Sequence, residues 1–429
     1  MRAGKKNNRG RFPVMGVDCP NKTPEEKNFR PMPFSCSCPQ DWRWEKLGLF
    51  IVESSVRNNS DSIHEVLSVT NDQGFVKSSD YFDRQVFSQD LANYKVIRKG
   101  QFAYNPSRLN VGSIALLNDF ESGLLSPMYV IFSLQREIIP EYLRFWFCSE
   151  RAKRQIKLSV QGSVRESVSF SSLSEFSLLI PPQRTQEKVV GILKCVEELS
   201  ELLNKLISQI KTVKFLIAQR LFKSHVAKSN KEIVPLGSVA KVGNGTTPSK
   251  KVNAYWENGT IPWLPTGKVN DKIITQANIF ITEEALKKCS LSLLPIGTTL
   301  VAMIGQGKTR GMAAFLQIES CINQNFASII PGPRLVPKFL YHYLDLQYEA
   351  LRGTGRGSNQ DAINCGIIKE FPIAIPPLEN QNTIVKVLDS FDEKISIEEK
   401  CVKGIESLKN ALLNELLSGR TSVFPGVVV

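Results

Sequence analysis

The residues whose types and spacing come nearest to chemistry are Ala302-Met303-Ile304-Gly305-Gln306-Gly307-Lys308-Thr309. With Ala in place of the first glycine, this run has the outline of a phosphate loop, in which backbone amides wrap a phosphate and a lysine reaches the terminal one. Gly311 interrupts any helix starting at Thr309, and no magnesium-binding Asp ends a nearby buried strand. Hydrolysis of a nucleotide through Lys308 is therefore a minor reading, one that requires the isolated chain to bind ATP. Tyr104-Asn105-Pro106-Ser107 has part of the Asn-Pro-Pro-aromatic pattern that holds an extruded base for amino-group methylation, but it lacks the second proline and the aromatic. His64, His225 and His342 lie far apart in unrelated contexts and suggest no triad. The 9 cysteines are odd in number and include no C-x-x-C pair, and Cys36 and Cys38 are the one close pair. They read as reduced thiols of a cytoplasmic protein, without zinc or a disulfide frame. The sequence shows no catalytic residue and no metal site.

With 429 residues the chain is long enough for more than one domain, and 42% apolar with 22% charged residues is ordinary globular usage. No run approaches the ~18–20 apolar residues that span a bilayer, and the basic, polar start from Met1 to Gly10 does not read as a secretory signal. The net charge of +13 favours a polyanionic partner. That charge is uneven. Residues 41–182 balance 16 basic against 16 acidic side chains, whereas 229–375 carry 15 against 10.

What must position any functional residue is an internal repeat. Phe176-Ser-Leu-Leu-Ile-Pro181-Pro182 returns 195 residues later as Phe371-Pro-Ile-Ala-Ile-Pro376-Pro377. The same offset pairs Gln186 with Gln381, Leu193 with Leu388, and Gly162-Ser163 with Gly357-Ser358. Upstream, an offset of 197 pairs Ile139-Pro140-Glu-Tyr-Leu143 with Val336-Pro337-Lys-Phe-Leu340. The period is too long for a solenoid and indicates a duplicated large unit, a pseudo-two-fold repeat.

Each unit ends in a long helix. From Gln186 to Lys223 the chain has no proline, and Val196, Leu199, Leu203, Leu206, Ile210, Val213 and Ile217 recur at alternating spacings of three and four, the a/d seam of a coiled coil. The second copy, Gln381 to Leu417, offers Phe391, Ile405, Leu408 and Leu412, with Lys394 and Glu398 where the first copy has Leu199 and Leu203. Two such stripes hide most simply against each other as antiparallel rods of about 57 Å. Val190, Leu202, Ile207 and Leu216 lie off that seam and offer a second face.

The other part of each unit has short β-branched runs broken by turn residues, with one helix expected over 140–158 and another over 337–352. The fold expectation is thus α+β, with a basic flexible arm at 1–40, globular domains at 41–182 and 229–375, spacer helices at 183–228 and 376–420, and a tail at 421–429.

Pro-Pro-x-x-x-Gln at the mouth of each helix, the duplication, and domain wording such as Tyr94-Lys-Val…Gly100…Tyr104-Asn-Pro…Arg108 and Leu236-Gly237…Thr247-Pro248…Tyr255-Trp256…Ile261-Pro-Trp263 resemble the specificity subunit of type I restriction–modification systems. The resemblance covers residues 42–420. It departs from the family in the 1–40 arm and in Thr185-Gln186 and Asn380-Gln381, where Glu-Gln is commoner. It implies a cytoplasmic, non-enzymatic subunit with two target recognition domains, each reading half of a split target in double-stranded DNA. The helices would set the gap and dock two methyltransferase subunits, with two motor–nuclease subunits joining where the system restricts. S-adenosylmethionine, ATP and magnesium would belong to those partners and no cofactor to this chain. Arg or Lys reads guanine and Asn or Gln reads adenine, so the loop residues expected at DNA are Asn105, Arg108, Asn110, Gln161, Ser163 and Arg165 in the first domain. In the second they are Lys250, Lys251, Gln306, Lys308, Arg310, Arg356, Asn359 and Gln360. The neutral 41–182 segment keeps open another reading, a coiled-coil scaffold whose globular domains bind proteins.

Overall fold

The computed structural model describes residues 39–419 apart from 60–62, 72, 83–86, 89, 136, 162–166, 229–232, 306 and 355–362. Residues 1–38 of the arm expected at 1–40, and the whole tail expected at 421–429, lie outside the described residues. In the first domain the strands β1 (Arg43–Lys46), β2 (Ile51–Ser54), β3 (Phe102–Tyr104), β4 (Ile114–Leu116) and β5 (Val130–Leu134) precede helices α1 (Pro140–Cys148) and α2 (Glu150–Gln161) and a closing strand, β6 (Ser177–Ile180). The first long helix, α3 (Gln183–Lys228), leads to the second domain. That domain holds β7 (Ile233–Pro235), β8 (Ala240–Asn244), β9 (Ile273–Ile274), β10 (Thr299–Ala302), β11 (Ala313–Leu316), β12 (Phe326–Pro331), α4 (Pro337–Leu346), α5 (Tyr348–Gly353) and β13 (Pro372–Ala374). The second long helix, α6 (Leu378–Leu416), follows.

The duplication is plain in the sheets. Antiparallel strands run β2–β5–β3–β4 in the first domain and β8–β12–β10–β11 in the second, where β9 is added in parallel beyond β11. First and last strands close each domain: Arg43 of β1 lies opposite Ile180 of β6, and Ile233 of β7 opposite Ala374 of β13. The single helix expected over 140–158 is two helices. Ser149 is extended (ψ 153°) and its hydroxyl accepts from Ala152 N, so α2 begins at a fresh cap.

Each long helix is held to its domain by the repeated glutamine. Gln186 Oε1 accepts from Ile139 N (2.9 Å), and its Nε2 donates to Glu137 O (2.8 Å) and Pro181 O (3.0 Å). Gln381 makes the same three bonds, with Val336 N (2.8 Å), Arg334 O (2.9 Å) and Pro376 O (2.8 Å). Both glutamines are buried. Each therefore ties the main chain just before α1 or α4 to the chain at the root of the rod. A buried polar side chain survives only when its bonds are made, and here they are.

The rods run antiparallel, as Lys214–Asp392 (2.5 Å) and Lys409–Glu197 (2.7 Å) fix: residue numbers rise along one helix as they fall along the other. Each rod enters both cores. Val189, Val190 and Leu193 at the start of α3 and Leu413 and Leu416 at the end of α6 complete the first domain's core. Ala218 and Phe222 at the end of α3 and Ile384 and Leu388 at the start of α6 complete the second's. A fully buried Leu or Ile contributes about 1.5–3 kcal/mol, so four such segments join rods and domains into one body.

The seam differs from the expected one at every second position. Along the seam of α3 the buried or half-buried residues are Val196, Ser200, Leu203, Ile207, Ile210, Lys214 and Ile217, while Leu199, Leu206 and Val213 are 48%, 38% and 45% exposed. In α6 the inward residues are Phe391, Ile395, Glu398, Val402, Ile405, Lys409 and Leu412, and Leu408 is exposed. Both patterns alternate threes and fours. Hydrophobicity alone prefers Leu199 to Ser200 and Val213 to Lys214. The phase is set instead where each helix is clamped: Gln186, Val189 and Leu193 point into the first core, and continuing from them at the same spacing reaches 200, 207 and 214. Lys214 and Lys409 are tolerated inside because each reaches an acid on the opposite rod. Of the residues expected off the seam, Val190 and Ile207 are buried, and only Leu202 and Leu216 are exposed. Among the described residues no helix is long and apolar enough to cross a membrane.

Candidate nucleic-acid interface

In the first domain β3 runs out into Asn105-Pro106-Ser107-Arg108 before the sheet resumes at β4. Asn105 Oδ1 accepts from Ser107 N (3.1 Å) and its carbonyl from Arg108 N (2.9 Å), an Asx turn that leaves Arg108 exposed. Asn110 is exposed in the short helical turn Leu109–Val111 that follows. Val168 N donates to Pro106 O (3.1 Å), and the buried Tyr104 hydroxyl donates to Val168 O (3.2 Å). Burial raises the Tyr104 phenol well above its ordinary pKa, so it stays a donor. The chain on the far side of 162–166 is therefore stitched to the Asn105–Arg108 turn. Gln161 is the last residue of α2, and Ser163 and Arg165 lie outside the described residues.

The second domain makes the same junction with different residues. Ile363 N donates to Met303 O (3.0 Å), joining the chain beyond 355–362 to the end of β10. The β10–β11 connection is clamped from α5. Arg352 Nη2 donates to Gly307 O (2.5 Å) and Tyr348 OH to Lys308 O (2.8 Å). Gly311, at φ +86°, lies so close to α5 that a Cβ would meet Arg352 N at 3.1 Å. Thus the run that outlined a phosphate loop connects two neighbouring antiparallel strands, with no helix starting at Thr309. Lys308 is exposed on this clamped turn. Lys250 and Lys251 are exposed on a separate turn, held by Trp256 Nε1 donating to Ser249 O (3.1 Å). Gln306, Arg356, Asn359 and Gln360 lie outside the described residues.

Arg310 departs from expectation. It is 6% exposed, folded in behind the turn where Gly311 N bonds Ala302 O, and a side chain so buried does not present its guanidinium to a groove. We remove it from the residues expected to read bases.

The family model for the type I restriction modification DNA specificity domain matches residues 89–212 and 228–407. The chain belongs to that family. It is 24% identical over 93% of its length to the type I restriction enzyme MjaVIII specificity subunit of Methanocaldococcus jannaschii, covering 97% of that protein. It is 28% identical over 37% of its length to the EcoR124I/EcoR124II specificity subunit of Escherichia coli, spanning 40% of that relative, and 32% identical to 39% of the MjaIX specificity subunit of M. jannaschii. Among solved structures, a chain described under complex assembly and conformational transition of the type I R-M system aligns over 90% of this chain and 99% of its own, at a TM-score of 0.59 and 19% identity. The type I S subunit from M. genitalium aligns over 88% and 96%, at 0.53 and 13%. These structures share the fold of this family member.

Reading the sequence for loop residues missed the helix beside them. In α2, which packs on the Leu109–Val111 turn, Arg151, Lys153, Arg154 and Lys157 fall within two turns. Arg151 lies over the Trp44 ring (4.3 Å) and Lys153 pairs with Glu150 (2.9 Å), while Arg154 and Lys157 are exposed. The signal was in the sequence: 4 of the 16 basic residues of a neutral domain lie within 151–157. Such a face suits phosphate rather than base contact.

The cluster with metal-ligating side chains, His342 with Asp389 and Asp392, lies at the joint of α4 with the rods. Lys338 (3.0 Å) and His342 (2.9 Å) share Asp389, and Lys214 holds Asp392, so cations already neutralise both acids. Burial pushes the Asp389 carboxyl up, but bonds from His342 and Lys338 outweigh it and hold the group below the usual range. This is an ion-paired joint.

Proposed function

We propose that the chain reads DNA for a type I restriction–modification complex and leaves the chemistry to its partners. Each globular domain would take one half of a split target in double-stranded DNA, with base contacts from Arg108, Asn110 and Lys308 and from the segments around 161–165 and 356–360. Arg154, Lys157, Lys250 and Lys251 would lie against phosphates. The observation that carries this reading is the duplicated anchor. Like domains are fixed by Gln186 and Gln381 to opposite ends of one antiparallel rod pair. From the ion-pair register Gln381 lies level with the turn around Ser224 of α3, about 39 residues from Gln186 and thus about 58 Å along the rod. A pair of readers at a fixed separation suits a bipartite sequence with a set gap.

Beside the buried seam, Leu199, Leu202, Leu206, Val213 and Leu216 line one exposed stripe of α3, and Ile397 and Leu408 a thinner one on α6. Isolated apolar residues on a surface need no explanation, but a stripe does. These faces suit the docking of two methyltransferase subunits, which would bring S-adenosylmethionine, while ATP and magnesium would serve motor–nuclease subunits. The setting is the cytoplasm. Salt-dependent DNA binding by the chain together with its methyltransferase tests the reading. Affinity falling steeply with salt and confined to one bipartite sequence is expected, and salt-independent or sequence-blind binding refutes it.

A further inference from the structure

Two repeat-related ion pairs join domain to rod, and their polarity is opposite. Glu141 and Lys338 each follow the proline that opens α1 or α4. Lys194 and Asp389 each lie 8 residues beyond the anchoring glutamine, Gln186 or Gln381. In the first copy the rod lysine meets the domain acid, Lys194 Nζ to Glu141 Oε1 at 2.9 Å. In the second the domain lysine meets the rod acid, Lys338 Nζ to Asp389 Oδ1 at 3.0 Å. Three residues further along each rod the polarity is the same in both copies: Glu197 and Asp392 each receive a lysine from the opposite helix.

We propose that this inverted pair is a matching device that assigns each globular domain to its own rod. The other anchors do not discriminate. The glutamine brackets are alike, and Arg144, which pairs with Glu197 (2.6 Å), would find an acid at the equivalent Asp392. Glu141 and Lys338 do discriminate. Seated on the second rod, the first domain would set Glu141 against Asp389. Seated on the first rod, the second domain would set Lys338 against Lys194 and bring His342 to a lysine in place of Asp389. Each exchange turns an attraction at about 3 Å into a like-charge contact. A chain built from two like units is exposed to such exchange, between nascent copies and whenever domains are recombined. The unit that can be exchanged intact therefore runs past Pro181-Pro182 to at least Lys194, and past Pro376-Pro377 to at least Asp389.

The test uses full-length chains. In a double-mutant cycle, Glu141→Lys and Lys194→Asp are each expected to speed amide exchange in Pro140–Cys148 roughly 3- to 10-fold, and the double variant to return it to near the natural rate. Additive effects with no recovery would overturn the proposal. A second arm replaces residues 43–182 by a copy of 233–377, which places a second Lys338 side chain beside Lys194. Lys194→Asp in that hybrid is expected to raise its melting temperature or its soluble yield. A hybrid indifferent to the change at 194 would overturn the idea as well.

Discussion

Shortening both rods by one heptad at their midpoint should bring the two half-targets closer without changing either. Lys214–Asp392 and Lys409–Glu197 place residues near 206 of α3 opposite residues near 401 of α6. Deleting 203–209 together with 398–404 therefore removes facing segments. The seam stays in phase, because Ile210 and Lys214 drop into the places of Leu203 and Ile207, and Ile405 and Lys409 into those of Glu398 and Val402. Both end ion pairs keep their partners, and neither globular core is touched. The separation of the glutamine anchors falls by seven residues, about 10.5 Å at 1.5 Å per residue. At 3.4 Å of rise per base pair that is about three base pairs. The loss of Leu203, Ile207 and Val402 from the inter-rod cluster they form with Ile210 and Ile395 costs some stability, but the five other seam positions of each rod survive. The assay is sequencing of methylated bases in DNA treated with the shortened chain and the proposed methyltransferase partner. The expected result is the same two half-sequences with a gap about three base pairs shorter. An unchanged gap, in a variant shown to fold and methylate, would refute the claim that the rods are the ruler.

Other outcomes follow from particular contacts. Gln186→Ala or Gln381→Ala leaves one buried amide and two carbonyls without their partner and should cost about 3 kcal/mol or more in urea unfolding, against well under 1 kcal/mol for the exposed Gln209→Ala. Arg154→Ala and Lys157→Ala should weaken DNA binding by the assembled complex alike for all sequences, and each should reduce the salt slope by about one. Arg310→Ala should lower thermal stability and leave the half-site sequence unchanged, since the side chain is buried. Acid should loosen the domain–rod joints. At Glu141 burial raises the carboxyl and the Lys194 bond lowers it, and at Glu197 burial is likewise outweighed by Arg144 and Lys409, so both lie below the usual range, as does Asp389. Their stabilisation is whole above the unfolded carboxyl pKa of about 4 and is lost as pH falls through the lower folded values. Protection of the α1 and α4 amides, relative to the intrinsic exchange rate at each pH, should thus fall below about pH 4 and stay level between pH 5 and 7.

How much of this was legible beforehand depended on the kind of signal. The repeated Pro-Pro-x-x-x-Gln pointed to two equal units, and Gln186 and Gln381 prove to be the residues that anchor them. Coiled-coil rods follow from spacing alone, but their phase does not. Leu199, Leu206, Val213 and Leu408 were expected inward because a hydrophobic count cannot see that the clamped helix roots set the phase, which puts Ser200, Ile207, Lys214 and Lys409 inside instead, the lysines each reaching an acid across the seam. Loop chemistry was the least legible. Arg108 and Lys308 stand exposed on turns fixed by main-chain bonds, while Arg310, two residues beyond Lys308, faces inward. That difference arises from Gly311 lying against α5 and from the Arg352 clamp, contacts between segments about 40 residues apart that no local pattern announces.

The most direct measurement of the central claim is the sequence motif methylated by the natural chain with the proposed methyltransferase partners, read across a whole genome. Two different short sequences at one invariant separation are predicted, each following its own domain when that domain is exchanged together with its rod root. A single contiguous motif, or half-sequences at varied separations, would contradict the account.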